Sequence, residues 1–509
     1  MNYSFIRQAL VAAFLAALVS GCVGTVASRS KPGPAVYYVD GSGGDDACSG
    51  MAPGEAWRTL ARVNQVTFQP GDRILFKAGT SFRGQLKPRG SGRGVDGVVI
   101  PIRISKYGDG PLPRIDGAGV SDALLLRNVE FWDVQDLEIT NLGTNRAPWR
   151  TGVRVVAQRF GTLRHIHLQN LFVHDVNGAL SKTNEGCGIL FETCGKMSKT
   201  SRFDDLLVEH CHLLRTDRNG ICQRNGSGPH SLHVVIRGNL LEDIGGDCIK
   251  PWGSDAPLVE HNVVHGGRTR CDDGAAGIWP FDCNDALIQF NEVSGMKGTQ
   301  DGQGFDSDYL CRRSVFQYNY SHDNEGGFML ICAPGKSFNQ DTIIRYNISQ
   351  NDGIHTARVF QFGGGSSNTL VYNNTVYVGT NQDVPLLLFG EWDGGRPTGA
   401  KFFNNLFYVD GRVTSKWDSA KKLVFANNVF YGRHAEIPSD PHAITNRPAL
   451  AKPGSGGDGF DSLKGYCPAD TNGFPRGRII PDNGGRDFFG HPVPADESSF
   501  VGAVSASKE

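Results

Sequence analysis

The stretches LIQFNEVS (287–294), VFQYNYSH (315–322), IIRYNISQ (343–350) and LVYNNTVY (370–377) repeat one phrase: apolar, any, any, Asn, any, apolar. The same phrase recurs at Asn239, Asn262, Asn405 and Asn428, with an imperfect early copy at Asn170. Successive gaps from Asn239 are 23, 29, 28, 28, 27, 31 and 23 residues, and Cys211 takes the asparagine place 28 residues before Asn239. A fixed period in this range marks a solenoid or a propeller. The units hold short alternating strands and glycine-rich turns with almost no helical pattern. The period is too short for a propeller blade, and the leucine ladder of a leucine-rich repeat is missing. A right-handed parallel β-helix fits, with coils stacked at the strand spacing of about 4.8 Å. The repeated asparagine then turns inward at a bend and bonds its counterparts above and below.

Working outward, Trp57, Leu60 and Val63 in WRTLARVNQV (57–66) share one face of a predicted helix that covers the N-terminal end of the solenoid. The predicted β-helix with its cap spans 36–433, and 434–509 loses the repeat and packs back on it as an irregular tail. Residues 1–21 carry Arg7 and a short apolar stretch from Ala9 to Val19, a signal peptide pattern. Val19-Ser20-Gly21-Cys22 resembles the bacterial lipoprotein box. That resemblance implies lipidation at Cys22 and, with Val23 next, an outer-membrane location in the cell envelope. Residues 22–35 are poor in apolar side chains and read as a tether.

The chain has 509 residues, and 66 glycines are about twice the usual share. Fifty-one basic and 52 acidic residues give a net charge of −1, which argues against a nucleic-acid partner. Of twelve cysteines, eleven remain once Cys22 is set aside. No CxxC pair occurs, so no metal site is expected from cysteine spacing. Nine of them, from Cys187 to Cys332, recur near the coil period, as stacked small core residues or one or two disulfide staples.

AVYYVDGSGGDDACSG (35–50), AWRTL (56–60) and PGDRILFKAGTSFRG (70–84) resemble the N-terminal cap of bacterial parallel β-helix proteins of the pectate-lyase-like superfamily. GGRDFFGHPVPADESSFVGAV (484–504) resembles their usual ending.

Residues one coil apart in a β-helix become neighbours about 5 Å apart. Taking Ile189, Ile221, Ile249, Ile278, Phe305 and Phe328 as inward anchors, the outward row reads Leu190, Cys222, Lys250, Trp279, Asp306 and Met329. A lysine, a tryptophan and an aspartate on one row suit a carbohydrate. Acidic density peaks at Asp301, Asp306, Asp308, Asp323 and Glu325. One coil of stacking places the Asp306 and Glu325 carboxyls roughly 5–7 Å apart, near the spacing of a retaining glycosidase. On these residues alone, binding calcium or capping turns stays open. The stretch DGQGFDSD with QYNYSHDNEGG resembles β-helix glycosidases of the β-xylosidase, α-fucosidase and xylanase group. That resemblance implies Asp306 or Asp308 paired with Glu325. Asp247 and Lys250 are expected to meet substrate or form a surface ion pair. Asp301 is expected to meet substrate and His322 to orient a carboxylate. Glu185 and Glu192 are read as distal subsite groups or plain solvated acids, and the insertion around Thr269–Ala276 as a wall of the cleft.

The reading is a carbohydrate-active enzyme, a glycoside hydrolase without a cofactor, acting on a polysaccharide or oligosaccharide. Two alternatives stand beside it. One is a polysaccharide lyase with Lys250 as base and calcium near Asp247, Asp301 and Asp308. The other is a non-catalytic glycan-binding surface protein.

Overall fold

The asparagine ladder is present. In the computed structural model, which describes residues 33–194, 200–226, 228–354 and 357–505, Asn262 Oδ1 accepts from the backbone N–H and Nδ2 of Asn239 at 3.1 and 2.9 Å. The same two-bond rung repeats at Asn291, Asn319, Asn347, Asn374, Asn405 and Asn428. Cys211 occupies the rung before Asn239, whose Oδ1 accepts its backbone N–H at 2.9 Å. At the far end Asp440 Oδ2 accepts both nitrogens of Asn428, at 3.0 and 2.9 Å. A carboxylate suits this end because it has no donor left to satisfy.

The corner that aims each amide inward has a second component. The residue before the asparagine is left-handed in coil after coil: Phe290 (φ 53°), Tyr318 (56°), Tyr346 (48°), Asn373 (51°), Asn404 (55°) and Asn427 (61°). Such a φ is uncommon for aromatic side chains. Here the ladder bonds on the next residue hold the strain in place.

Three runs of parallel strands wind around the core. One is a 14-stranded sheet from Val36–Val39 to Val424–Ala426. A second runs through Asp122–Arg127, Thr151–Gln158, Cys187–Cys194, Asn219–Arg224 and Asp247–Lys250. Single bridges Ile249–Ile278 and Ile278–Phe305 carry it on to Gln303–Ser307 and Gly327–Ala333. A third runs from Ser81–Arg83 to Val429–His434. The long strand Leu406–Lys416 pairs with both Thr375–Val378 and Asp383–Gly390, so the second and third runs meet there. Ile, Val, Leu and Phe from all three faces fill the interior as one cluster.

Two expectations need correcting. The N-terminal helix is Leu60–Gln65, shorter than the apolar pattern suggested. Thr59 stays extended and its side chain caps the helix by accepting from Arg62 N–H at 3.2 Å. Trp57 lies outside the helix, bridged to Val39, with its indole N–H on Cys48 O at 3.1 Å. The outward row holds from Leu190 to Asp306, but Phe305 then pairs with Met329. The spacing of that coil is 24 residues, so Leu330 and not Met329 follows Asp306.

From residue 435 to 505 the chain lies over the corner between the first and third runs. It covers a column of tyrosines, among them Tyr318, Tyr346 and Tyr372, with Leu463, Tyr466 and Phe500. Tyr372 OH donates to Asp482 O at 2.8 Å. The ten cysteines from Cys48 to Cys332 are free thiols. Cys187 and Cys222 pack with Leu190 as small core residues, and no disulfide staple forms among the nine cysteines from Cys187 to Cys332. No helix among the described residues is long and apolar enough to cross a membrane. The leader and Cys22 lie outside the described residues.

Candidate active site

The second run carries the predicted row, and the register stacks Lys250, Trp279 and Asp306 on successive coils. The inward neighbours Ile249, Ile278 and Phe305 anchor the row in the core. Beside it opens a cleft of about 270 Å³ lined by Lys182, Lys250, Trp252, Trp279, Asp308 and Tyr309, among others.

Asp247 is the buried hub behind the cleft. It is wholly buried, and its Oδ1 accepts Ala276 N–H and Trp279 indole N–H, each at 3.0 Å. Its Oδ2 faces Arg218 Nη1 at 3.1 Å and Lys250 Nζ at 3.5 Å. Burial opposes its charge, but Arg218 and Lys250 hold its pKa below the usual range. It is therefore neither a surface ion pair nor a substrate contact. Lys250 Nζ also reaches Glu185 at 3.3 Å, and Glu185 reaches Arg224 at 3.5 Å. Glu185 thus belongs to this network rather than to a distal position. Trp279, so oriented, has Lys250 Nζ 5.1 Å and Lys182 Nζ 6.0 Å from its ring centroid.

Asp308 lines the cleft, and Asp306 and Asp301 lie close enough behind it to interact with it electrostatically. Asp306 is 5% exposed, and its Oδ1 has no hydrogen-bond partner among the described residues. Burial first, then the charges of Asp308 and Asp301, push its pKa well up. Asp308 is half-buried and raised to about 6 by burial, against donation from the Cys332 thiol (2.7 Å) and Tyr309 N–H (2.8 Å). Asp301 is half-buried and raised by burial, with Lys182 and Arg358 opposing. Asp306, Asp308 and Cys332 each offer an atom within 4.8 Å of the others. The set does not fit calcium, which takes oxygen ligands, and burial holds the Cys332 thiol protonated.

Glu325 is engaged elsewhere. Its carboxylate accepts Gly298 N–H at 2.6 Å and pairs with Lys297 Nζ at 3.3 Å. The acids that act on Asp306 are Asp308 and Asp301. His322 lies on the third run, between Glu292 (3.1 Å) and Asp323 (2.9 Å), which raise its pKa to about 9 against burial. It orients a carboxylate, that of Glu292, away from the cleft.

The insertion braces the acids. Arg218 Nη2 donates to Gly274 O at 3.0 Å, and Asp273 accepts Lys182 N–H at 2.9 Å. Gly274 packs so closely on Asp301 that a Cβ there would collide with Asp301 Oδ2. Arg358 donates to Thr299 O at 2.6 Å, holding the turn that leads into Asp301. Lys182, Arg218, Arg358 and Cys332 carry no motif, and only the stacking of distant coils brings them here.

Comparison with known proteins agrees with this architecture. The family described as right handed beta helix region matches residues 187–376. A lacto-N-biosidase of Bifidobacterium longum subsp. longum is 28% identical over 520 aligned residues, covering 80% of this chain. The chain spans 31% of that relative's length. The crystal structure of a GH136 lacto-N-biosidase from Eubacterium ramulus is 28% identical with a TM-score of 0.61, covering 77% of this chain and 68% of that one. A complex of XylC with xylose, 11% identical with a TM-score of 0.52, covers 93% of this chain and 99% of that one and shares the fold.

Proposed function

We propose that this chain is a glycoside hydrolase that cleaves an oligosaccharide with Asp301 and Asp308, releasing a disaccharide in the manner the lacto-N-biosidase likeness suggests. The observation that carries the reading is the split among the three aspartates. Asp308 lines the cleft and Asp301, also only partly buried, lies close enough to act on it, whereas Asp306 is buried and its pKa is pushed well up.

Asp308 receives two hydrogen bonds that favour its carboxylate form. It meets the anomeric carbon directly or through a water. Asp301, whose pKa is raised, gives its proton to the departing glycosidic oxygen. Water supplies the hydroxyl on the released sugar, and its proton returns to the acid pair, so the cycle balances. Trp279 lines the cleft with 7% of its surface exposed, and that edge meets the sugar. This reassigns the pair from Asp306 or Asp308 with Glu325 to Asp301 with Asp308.

The test is hydrolysis of an aryl lacto-N-bioside and a panel of oligosaccharides, with product masses. Asp301→Asn and Asp308→Asn each lower kcat by about 10²–10⁴ or more, while Glu325→Gln keeps most activity. Full activity in both asparagine variants overturns the assignment. A product carrying a new ultraviolet-absorbing double bond makes the protein a lyase instead. We also propose lipid attachment at Cys22 in the cell envelope. Incorporation of a labelled fatty acid in the native chain, and its loss in Cys22→Ala, is the expected result.

A further inference from the structure

The third run carries a second cluster of ligand-type side chains, which the cleft does not use. In the register Val263 faces Glu292 and His265 faces Ser294, so His265 and Glu292 are diagonal neighbours on one face. Asp458 comes to them from the C-terminal segment. One donor atom from each of His265, Glu292 and Asp458 lies within 4.8 Å of the other two.

The surroundings already orient two of the three. His265 Nδ1 bonds Ser294 Oγ at 2.9 Å, and Nε2 has no partner among the described residues. Glu292 is 2% exposed, and its Oε1 takes hydrogen bonds from His322 Nε2 at 3.1 Å and Gly459 N–H at 3.0 Å. A histidine fixed through one nitrogen, and a carboxylate fixed by outside donors, are the usual supports of metal ligands. The Asp458 carboxylate is exposed and has no hydrogen bond or ion pair among the described residues. Zinc bonds of about 2.0–2.2 Å in a tetrahedron set ligand atoms roughly 3.3–3.6 Å apart. The three atoms lie within 4.8 Å of one another, so binding draws them together by up to about 1.5 Å.

We propose that His265, Glu292 and Asp458 bind one divalent cation of the zinc class, with water in the fourth position, and that this cation clamps the C-terminal segment onto the β-helix. One nitrogen and two carboxylate oxygens suit zinc, and the octahedral all-oxygen demand of magnesium disfavours it. The segment next to Asp458 is held already by Gln350, whose Nε2 donates to Gly456 O at 2.9 Å and whose Oε1 accepts Tyr466 OH at 2.6 Å. The cation adds a second fastening on the same stretch.

The test uses the full chain, stripped with EDTA, titrated with ZnCl₂ by calorimetry and with CoCl₂ by visible absorption. The expected result is one equivalent bound and cobalt bands without a thiolate charge-transfer band. His265→Ala and Asp458→Asn each weaken binding about tenfold or more, and His167→Ala, in the separate cluster of Asp133, His165 and His167 on the first run, leaves it unchanged. Zinc also slows proteolysis between 435 and 468 in the native chain but not in Asp458→Asn. Asp458 is exposed, so that variant separates loss of a ligand from loss of fold. Absence of a stoichiometric site, a thiolate band, or binding that survives either His265→Ala or Asp458→Asn overturns the proposal. None of these readouts depends on hydrolysis.

Discussion

Trp279 donates its indole N–H to Asp247 Oδ1 across 3.0 Å, so a carboxylate with no solvent exposure sets the angle of the cleft's aromatic platform. Arg218 and Lys250 balance that carboxylate from behind. One buried group therefore links the packing of the coil to the shape of the cleft.

Asp247→Ala leaves the Arg218 guanidinium buried without its strongest partner. Breaking a buried ion pair on one side costs about 3–5 kcal/mol. Urea unfolding is expected to show a loss of that size, with Asp247→Asn less damaging because its amide oxygen still accepts from Trp279. A loss below about 1 kcal/mol for Asp247→Ala, the range of exposed pairs, contradicts the hub.

Gly274→Ala tests the fit around Asp301. The added methyl meets Asp301 Oδ2, so the acid must move or the insertion must shift. A misplacement of about 1 Å at a reacting group costs on the order of 10²-fold in rate. The expected outcome is a loss of that order in kcat with an unchanged circular dichroism spectrum. Unimpaired turnover argues against Asp301 as the acid.

Asn319→Ala removes one interior rung. Asn291 loses the acceptor of its backbone N–H and of its Nδ2, and Ile288 O loses a donor. Each buried group left unpaired costs about 1–3 kcal/mol, so a total of about 3 kcal/mol or more is expected by denaturant unfolding. Asn319→Asp fares no better at neutral pH, because its oxygen then faces Asn347 Oδ1. Asp440 escapes this only because it ends the ladder.

Two pH windows follow from buried titrating groups. His165, whose burial is outweighed by Asp133 at 3.0 Å and Asp205 at 2.6 Å, is raised to about 9. Asp282 and Asp255 raise His230 to about 9 against burial. A raised histidine pKa stabilises the fold fully below about 6.5, and that contribution fades as pH climbs through 9. Asp352 is raised to about 6 by burial despite bonds from Ser349 and Asn324. For a carboxyl the folded state then holds its proton more tightly, so stability falls as pH rises from about 4 through 6. Unfolding free energies from pH 5 to 10 are expected to decline in both windows. Asp308 titrates in the same window, so Asp352→Asn makes the acid decline shallower and gains up to about 3 kcal/mol at pH 8. An unchanged acid slope in that variant rules out Asp352 as its source.

Much of the solenoid was legible because a repeat writes one physical requirement many times over. Each coil must bury an amide at the same corner, and the spacing of Asn239 to Asn428 records it. The row Lys250, Trp279, Asp306 was legible for the same reason, since inward and outward positions alternate along a strand. Its failure at Met329 came from a coil of 24 residues, a length that no phrase in the chain announces. Glu325 stands within reach of Asp306 in coil counting, but its side chain turns to Lys297 and Gly298.

The amino-acid order by itself determined the coil, its period and the face on which acids collect, because those depend on local alternation and repetition. Which acids share the cleft was decided only by the folded chain. Asp301, Asp306 and Asp308 differ in exposure and in proton affinity through Lys182, Arg358 and Cys332. Those three lie far apart in sequence, and their effect is set by distance and burial, quantities that exist only once the coils are stacked.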